Sequence, residues 1–194
     1  MSKSLSSAVA IALLITAMVT AFGGAASANP LTSPAGSTYT GSLKGEAEGK
    51  ISIHNSSLGV TVTCEESILE GNVESHNSLT AGGSLTKFTL AKCGADTVTI
   101  LKSGALEIHG TTGSDGTVTW TGAEITVKNG STGVSCIYKT TATDIGTLTG
   151  GTPATLDLGS TTLPREGDNI FCGTKGTLTG SYKFTTPSTL LVDS

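Results

Sequence analysis

The sequence of 194 residues is poor in charged and aromatic side chains. Charged residues make up 13% of the chain and aromatic residues 4%, with a single tryptophan, and the formal net charge is −4. Nucleic acids and anionic membranes are bound by clusters of lysine and arginine, so sparse and slightly acidic charges argue against both as partners. The scarcity of aromatics also argues against the stacking platforms that sugar-cleaving clefts usually carry.

The motifs of common catalytic and metal sites are missing as well. The chain has no Gly-x-Ser-x-Gly motif and no Cys-x-x-Cys pair, and its histidines, His54, His76 and His109, are well separated in the sequence. The densest acidic group lies within residues 65–74, where paired carboxylates could perform glycosidic acid–base chemistry. Solvated strand charges explain this group more simply. We therefore predict no catalytic residue, no metal site and no cofactor.

Threonine, glycine and serine are abundant instead. Threonine favours strands because its branched Cβ fits a pleated surface, whereas glycine and serine favour turns. Valine, isoleucine and leucine alternate along the chain, which distinguishes it from disordered low-complexity sequences. About a dozen short strands with turns roughly every 8–12 residues predict an all-β fold. We expect an antiparallel β-sandwich with Greek-key or jelly-roll connections.

The first 28 residues predict a secretory signal peptide. Lys3 precedes an apolar run from Ala8 to Phe22, and Ala26-Ser27-Ala28 provides the small residues that precede a cleavage site. The run is short for a membrane-spanning helix, which takes roughly 20 residues. We expect residues 29–194 to form a single extracellular domain.

Two stretches of this domain are similar. Residues 51–60 read ISIHNSSLGV and lead to Cys64, and residues 125–134 read ITVKNGSTGV and lead to Cys136. Each stretch is followed later in the chain by a Cys-Gly step. A matched pattern of this kind predicts a sandwich made of two related halves.

The four cysteines are Cys64, Cys93, Cys136 and Cys172. An even number of cysteines behind a secretion signal predicts two disulfides, for which three pairings exist. We favour Cys64–Cys93 and Cys136–Cys172, because this pairing gives each related half one disulfide.

Several local patterns give further expectations. The Asp115-Gly116 and Asn129-Gly130 steps are strong hairpin signals. Trp120 lies on an alternating strand and is predicted to be buried. Residues 163–169 are expected to form a polar loop. Thr189 to Val192 is predicted to be a final strand, which could pair with an exposed edge of a neighbouring molecule.

The step from Gly59-Val60 to Cys64 and the later Cys93-Gly94 step carry a family resemblance. Together with the signal peptide and the Thr/Gly-rich strands, they resemble a group of secreted proteins from high-GC Gram-positive bacteria. The resemblance spans most of residues 29–194 and implies a β-sandwich. It implies no activity, because the group has none to carry over.

The function that these patterns favour is that of a secreted, non-enzymatic protein, structural or adhesive, at the cell surface or in a matrix. Self-association or binding to a cell-surface glycan would fit such a role. The alternatives are a β-sandwich module that binds a glycan or a small ligand and, less favoured, a hydrolase with a non-obvious site.

Overall fold

The structure, a computed structural model, describes residues 31–33, 37–77, 80–111 and 115–192. Within these ranges the chain forms short strands and one 3-10 turn, and no α-helix. The predicted all-β, antiparallel fold is confirmed. No helix within these ranges has the length and apolar character that crossing a membrane requires. The predicted signal peptide, residues 1–28, lies outside the described residues.

Most strands are five to seven residues long, and few residues separate one from the next. In chain order they are β1 Leu31–Thr32, β2 Gly41–Ala47, β3 Ile51–Asn55, β4 Val60–Cys64, β5 Glu66–His76, β6 Thr80–Ala91, β7 Thr97–Lys102, β8 Ala105–Gly110, β9 Asp115–Thr121, β10 Glu124–Lys128, β11 Ser135–Lys139, β12 Thr143–Thr149, β13 Thr155–Asp157, β14 Thr161–Glu166, β15 Lys175–Thr179, β16 Ser181–Thr186 and β17 Leu191–Val192, with the 3-10 turn Ile170–Cys172 between β14 and β15.

Eight strands close into a barrel, in the order β12-β13-β16-β2-β5-β6-β8-β9, and seven form an open sheet, in the order β4-β3-β15-β14-β11-β10-β7. Each strand of the open sheet is joined to a barrel strand by one to three residues, and the two sets follow the same order around the wall. The open sheet therefore continues the barrel wall. We call the closed barrel the lower tier and the open sheet the upper tier.

The upper tier has one strand fewer than the lower tier, which leaves a gap between its edge strands β4 and β7. We call this gap the seam. The disulfide Cys64–Cys93 joins the end of β4 to the connection between β6 and β7, so it crosses the seam. The second disulfide is Cys136–Cys172. The two predicted disulfides are thus confirmed, with the pairing that the sequence favoured.

The strands form a barrel with an open upper tier, so the predicted sandwich of two related halves is not confirmed. The two similar stretches do form hairpins, β3–β4 and β10–β11, within the upper tier. Their cysteines differ in position, however. Cys64 lies opposite Ile51, the first residue of its hairpin, whereas the residue opposite Ile125 is Tyr138. Cys136 lies closer to its turn, opposite Val127, and the two disulfides therefore brace different levels of the wall.

Alternating apolar side chains fill both tiers. Trp120 is 2% exposed, as the sequence predicted, and its ring meets that of Phe88 edge to face, with centroids 5.1 Å apart. The indole Nε1 of Trp120 donates to the carbonyl oxygen of Ser103 (2.8 Å). The cavities beside this packing measure about 10 Å³ in the lower tier and about 20 Å³ in the upper tier. Volumes of this size hold little more than a water molecule.

The end of the lower tier away from the upper tier, which we call the base, is closed by both ends of the described chain. Strand β1 pairs with β17, and Leu190 forms a bridge with Gly151. Leu31 and Leu190 are fully buried there, and Val192 is 2% exposed. The predicted final strand therefore forms, but it is already paired and buried within its own molecule. The expectation that it also pairs with a neighbouring molecule stays a prediction.

One local expectation is confirmed and one needs correction. Strands β8 and β9 form the antiparallel hairpin that the Asp115-Gly116 step predicted, with these two residues at the start of β9. Residues 163–166 belong to β14 rather than to a polar loop. Leu163 is fully buried, and this burial keeps the segment in the wall despite the following Pro164. Asn129-Gly130 does lie in a hairpin turn, as predicted.

Candidate functional site at the apex

Four connections reach the free end of the upper tier, which we call the apex. They are the turns of the β3–β4 and β10–β11 hairpins, the loop between β14 and β15, and the connection from β6 to β7. The strand register brings them together, because His54 lies opposite Thr177 and Ile137 lies opposite Glu166. The apex is therefore the end of the molecule opposite the paired termini.

The loop between β14 and β15, residues 167–174, carries the most exposed large apolar side chains of the described residues. Ile170 is 80% exposed and Phe171 58% exposed, and Leu101 on β7 follows with 51%. Ile170 and Phe171 begin the 3-10 turn that ends at Cys172. We call residues 167–174 the apical loop.

Hydrogen bonds from within the loop and from β11 hold this apolar pair in place. The Asn169 side chain caps the 3-10 turn, because its Oδ1 accepts from the backbone N–H of Phe171 (3.1 Å). Its Nδ2 donates to the carbonyl of Ser135 (3.1 Å). The Arg165 guanidinium donates to the carbonyl of Asn169 (2.6 Å), and the backbone N–H of Cys172 donates to the same carbonyl (3.0 Å). Hydrogen bonds thus connect the 3-10 turn to the neighbouring strands β11 and β14.

The turn of the β3–β4 hairpin supports the loop from the other side. Asn55 is 7% exposed, and its Nδ2 donates to the carbonyl of Cys172 (3.1 Å) while its Oδ1 accepts from the backbone N–H of Ser57 (3.0 Å). Gly173 has a φ of 61°, and a Cβ there would collide with the Ser57 side chain. A glycine is therefore required where the loop passes the hairpin. The Cys136–Cys172 disulfide adds a covalent tie to β11.

Tyr138 forms part of the interior wall below this anchor. Its side chain is 1% exposed, its ring packs against the backbone of Gly176, and its hydroxyl forms no hydrogen bond of normal geometry with the described residues. Burial raises the pKa of the Tyr138 hydroxyl, and nearby Asn55 and Arg165 oppose the rise. The hydroxyl is therefore neutral at physiological pH.

The charges beside the apolar pair balance one another. The chain segments that flank it contain Arg165 and Lys175 on the positive side and Glu166 and Asp168 on the negative side. Glu166 also forms an ion pair with Lys139 (2.7 Å), and this hydrogen bond raises the pKa of Lys139. The apolar pair is therefore flanked along the chain by charged residues of both signs.

A second surface feature lies on the wall of the lower tier. A groove of about 420 Å³ is lined by Glu74, Ser84, Leu106 and Glu107 among others. The Ser84 hydroxyl donates to Glu74 (2.6 Å). Gly83 fits here because a Cβ would collide with the carbonyl of Asn72 at a bulge between β5 and β6. The groove is large enough for a small polar ligand.

The structure does not bring the histidines together around one reactive group. His54 hydrogen-bonds to the Thr61 hydroxyl (2.9 Å), His76 to the carbonyl of Tyr39 (2.5 Å), and His109 lies 3.9 Å from Glu107. Among the described residues, no group of three or more His, Cys, Asp and Glu side chains is arranged to hold a metal ion.

The acidic group at residues 65–74 is spread along the wall. Glu65 and Glu70 form ion pairs with Lys50 (3.8 Å) and Lys87 (3.6 Å), and Glu66 pairs with Lys92. Side-chain exposures between 35% and 65% make these contacts surface pairs, which contribute little to stability. They are the solvated strand charges that the simpler interpretation described.

Sequence reasoning missed the exposed pair Ile170 and Phe171, because residues 163–169 were expected to be a polar loop that simply preceded Cys172. The available signal was two adjacent large apolar residues beside a cysteine, between the polar residues Asp168-Asn169 and Gly173-Thr174. No protein-family model, curated protein or solved structure matches the chain. The resemblance to secreted proteins of high-GC Gram-positive bacteria stays a prediction.

Proposed function

We propose that this chain is a secreted, non-enzymatic adhesive protein that binds a protein surface through its apical loop. The observation that supports this proposal is the exposure of Ile170 (80%) and Phe171 (58%) on a loop held by a disulfide and a side-chain cap. Holding a large, exposed apolar side chain rigid does not by itself stabilise the folded chain. Fixed apolar residues of this kind act as the anchors of protein interfaces, because they lose little conformational entropy on binding.

The surroundings of the pair favour a protein partner. Protein interfaces combine an apolar centre with a polar, solvent-exposed border, and Ile170 and Phe171 are bordered by two positive and two negative residues. An anionic membrane would favour a basic border, which is absent from the apical loop. The partner that fits is a protein with an apolar pocket and no strong local charge.

The disulfides support an extracellular location. Disulfides persist outside the reducing cytosol, and the described residues contain no free cysteine. The cell surface or an extracellular matrix is the place where an adhesive protein of this kind would act.

Binding of the purified, labelled protein to the cells that secrete it tests the proposal. We expect the double variant Ile170→Ser/Phe171→Ser to lose at least about tenfold in affinity, because truncating an interface anchor typically costs 2 kcal/mol or more. Leu101→Ser is the matched control, since it removes a similarly exposed apolar side chain far from the apex and should bind like the wild type. Equal binding by the double variant and the wild type, or absence of binding by the wild type, would refute the proposal.

The groove on the lower tier favours a second candidate function, the binding of a glycan. Its carboxylates accept hydrogen bonds from sugar hydroxyls, and its serine and threonine hydroxyls both donate and accept them. Pretreatment of the cells separates the two candidates. Protease treatment should abolish binding to a protein, whereas periodate oxidation should abolish binding to a glycan, and Glu107→Gln should weaken only the latter.

We also propose that the β3–β4 and β10–β11 hairpins derive from one repeated unit. Asn55 and Asn129 begin the two turns, and each Oδ1 accepts the backbone N–H three residues later, that of Leu58 (3.3 Å) or of Thr132 (2.8 Å). Gly59 and Gly133 then end the turns with φ angles of 61° and 70°. These matching hydrogen bonds and backbone angles support a common origin of the hairpins, in addition to the similarity of their sequences.

A further inference from the structure

The turn of the β10–β11 hairpin contains a chemically reactive step. In an Asn-Gly sequence the backbone nitrogen of the glycine can attack the side-chain carbonyl carbon of the asparagine. The new C–N bond closes a succinimide ring, and the side-chain nitrogen leaves as ammonia. Water then opens the ring to aspartate or isoaspartate, with no oxidant or reductant involved. Asn129 and Gly130 meet the sequence requirement at a partly exposed turn.

Both reacting groups of this step are bound to a single carboxylate oxygen. Asp96 Oδ1 accepts from the backbone N–H of Gly130 (2.9 Å) and from Nδ2 of Asn129 (3.0 Å). The nitrogen that would attack and the nitrogen that would leave therefore both point at Asp96. Hydrogen bonds to a charged acceptor are among the stronger ones in proteins.

The other atoms of the asparagine side chain are held as well. Asn129 Oδ1 accepts from the backbone N–H of Thr132 (2.8 Å) and from its hydroxyl (2.9 Å). Rotation of the carboxamide would break these bonds together with the bond from Nδ2 to Asp96. Ring closure needs the Gly130 nitrogen and the side-chain carbon of Asn129 in a near-attack arrangement, and these hydrogen bonds restrict the rotation that would lead to it.

The glycine itself is imposed by the fold. A Cβ at Gly130 would collide with the carbonyl of Ala95, in the connection that leads to β7. This close approach excludes larger residues, so the reactive step cannot be removed by substituting Gly130 without moving the connection. Asp96 belongs to the same connection, three residues after the disulfide-bonded Cys93.

We propose that Asp96 protects Asn129-Gly130 from deamidation, and that loss of Asp96 turns this step into a site of isoaspartate formation. The carboxylate accepts the hydrogen bond of the Gly130 nitrogen and restrains the Asn129 carboxamide through Nδ2. Such protection suits a protein that persists outside the cell without resynthesis. The inference is independent of the proposed adhesive function, because it concerns the covalent lifetime of the hairpin.

Peptide mapping by mass spectrometry during incubation of the purified full chain in mildly alkaline buffer tests the inference. We expect the wild type to form aspartate and isoaspartate at position 129 far more slowly than a synthetic peptide of residues 125–135. Asp96→Ala should raise the rate roughly tenfold or more, since it removes two charge-assisted hydrogen bonds. Asp168→Ala, which removes an exposed apical carboxylate with no contact to the turn, should leave the rate unchanged.

Measurements in denaturant distinguish protection by the folded structure from any effect of the substitution on the reactivity of the unfolded chain. Unfolded wild type and unfolded Asp96→Ala should deamidate at the same rate. If Asp96→Ala does not fold, Asp96→Asn replaces it, and a rate between those of the wild type and the peptide is expected because an amide oxygen accepts more weakly. A folded variant at Asp96 that reacts no faster than the wild type would overturn the inference. So would a slower one, because Asp96 would then act as a base that assists attack.

Discussion

The buried hydroxyl of Tyr182 makes the stability of this fold depend on pH. The side chain is 1% exposed, and its hydroxyl hydrogen-bonds to that of Ser67 (2.7 Å), which itself donates to the carbonyl of Thr89 (2.6 Å). Burial raises the pKa of Tyr182 well above its ordinary value, and the hydrogen bond with Ser67 opposes the rise. The barrel interior therefore accepts the neutral hydroxyl and excludes the phenolate.

The free energy of unfolding should consequently fall in alkaline solution. In the unfolded chain Tyr182 loses its proton near pH 10, whereas in the folded chain it keeps the proton to higher pH. The stabilisation from this group is thus fully present below about pH 10 and is lost as the pH rises towards the folded pKa. Tyr182→Phe should reduce the slope above pH 10 by up to about 1.4 kcal/mol per pH unit.

Urea titrations between about pH 8 and 11 measure this slope. Tyr39→Phe is the matched control, because Tyr39 is partly exposed and its pKa is raised less by burial. An unchanged slope in Tyr182→Phe would show that the phenolate is tolerated in the barrel.

Residue-scale features differed in how well the sequence predicted them. Alternation placed Trp120 in the core, and the two similar Cys-ended stretches favoured the observed disulfides, since both depend on local sequence patterns. The exposure of Ile170 and Phe171 could not be predicted in this way. It depends on Asn55 and Ser135, which are distant in the sequence and hold the loop only after the upper tier has formed.

At the scale of elements, the apical loop depends on its covalent tie to β11. Removing Cys136–Cys172, which closes a sequence separation of 36 residues, should lower the free energy of unfolding by about 3–4 kcal/mol on the loop-entropy model. The double variant Cys136→Ala/Cys172→Ala should also exchange the amide hydrogens of residues 167–174 faster, because one of the anchors of the 3-10 turn is lost.

Hydrogen exchange with mass spectrometry can separate the local effect from the global one. The variant Cys64→Ala/Cys93→Ala removes a disulfide of similar separation, 29 residues, at the seam. This variant should lower the free energy of unfolding by a similar amount. It should leave hydrogen exchange in the apical loop close to that of the wild type. Equal exchange in the loop for both variants would show that the hydrogen bonds alone hold Ile170 and Phe171.

The hairpins show the limits of prediction at this scale. Both similar stretches form hairpins, because the turn chemistry of Asn55 and Asn129 is local. Where each disulfide lies along the wall, and whether Leu163 belongs to a strand, depend on how β14 aligns with β11 and β15. No local sequence pattern encodes this alignment. The sequence therefore predicted the hairpins but not their place in a barrel.

At the scale of the whole molecule, the paired termini close the base of the barrel. Leu31 is fully buried beside β17, and Leu190 is equally buried. Leu31→Ala should lower the free energy of unfolding by about 2–5 kcal/mol, as expected for a buried leucine. The exposed Leu101→Ala should change it by less than about 0.5 kcal/mol.

Thermal or urea unfolding of the two variants checks this prediction. A cost for Leu31→Ala as small as that for Leu101→Ala would mean that the pairing of β1 with β17 adds nothing to the fold. If Leu31→Ala shifted only one part of the unfolding transition, the base would unfold separately from the rest of the barrel.

The continuous wall of two tiers places the paired termini and the apical loop at opposite ends of the molecule. A tether attached at either end of the described chain would therefore leave Ile170 and Phe171 pointing away from the support. Coupled to a bead or a sensor chip through a terminal tag, every copy would present the same face to solution.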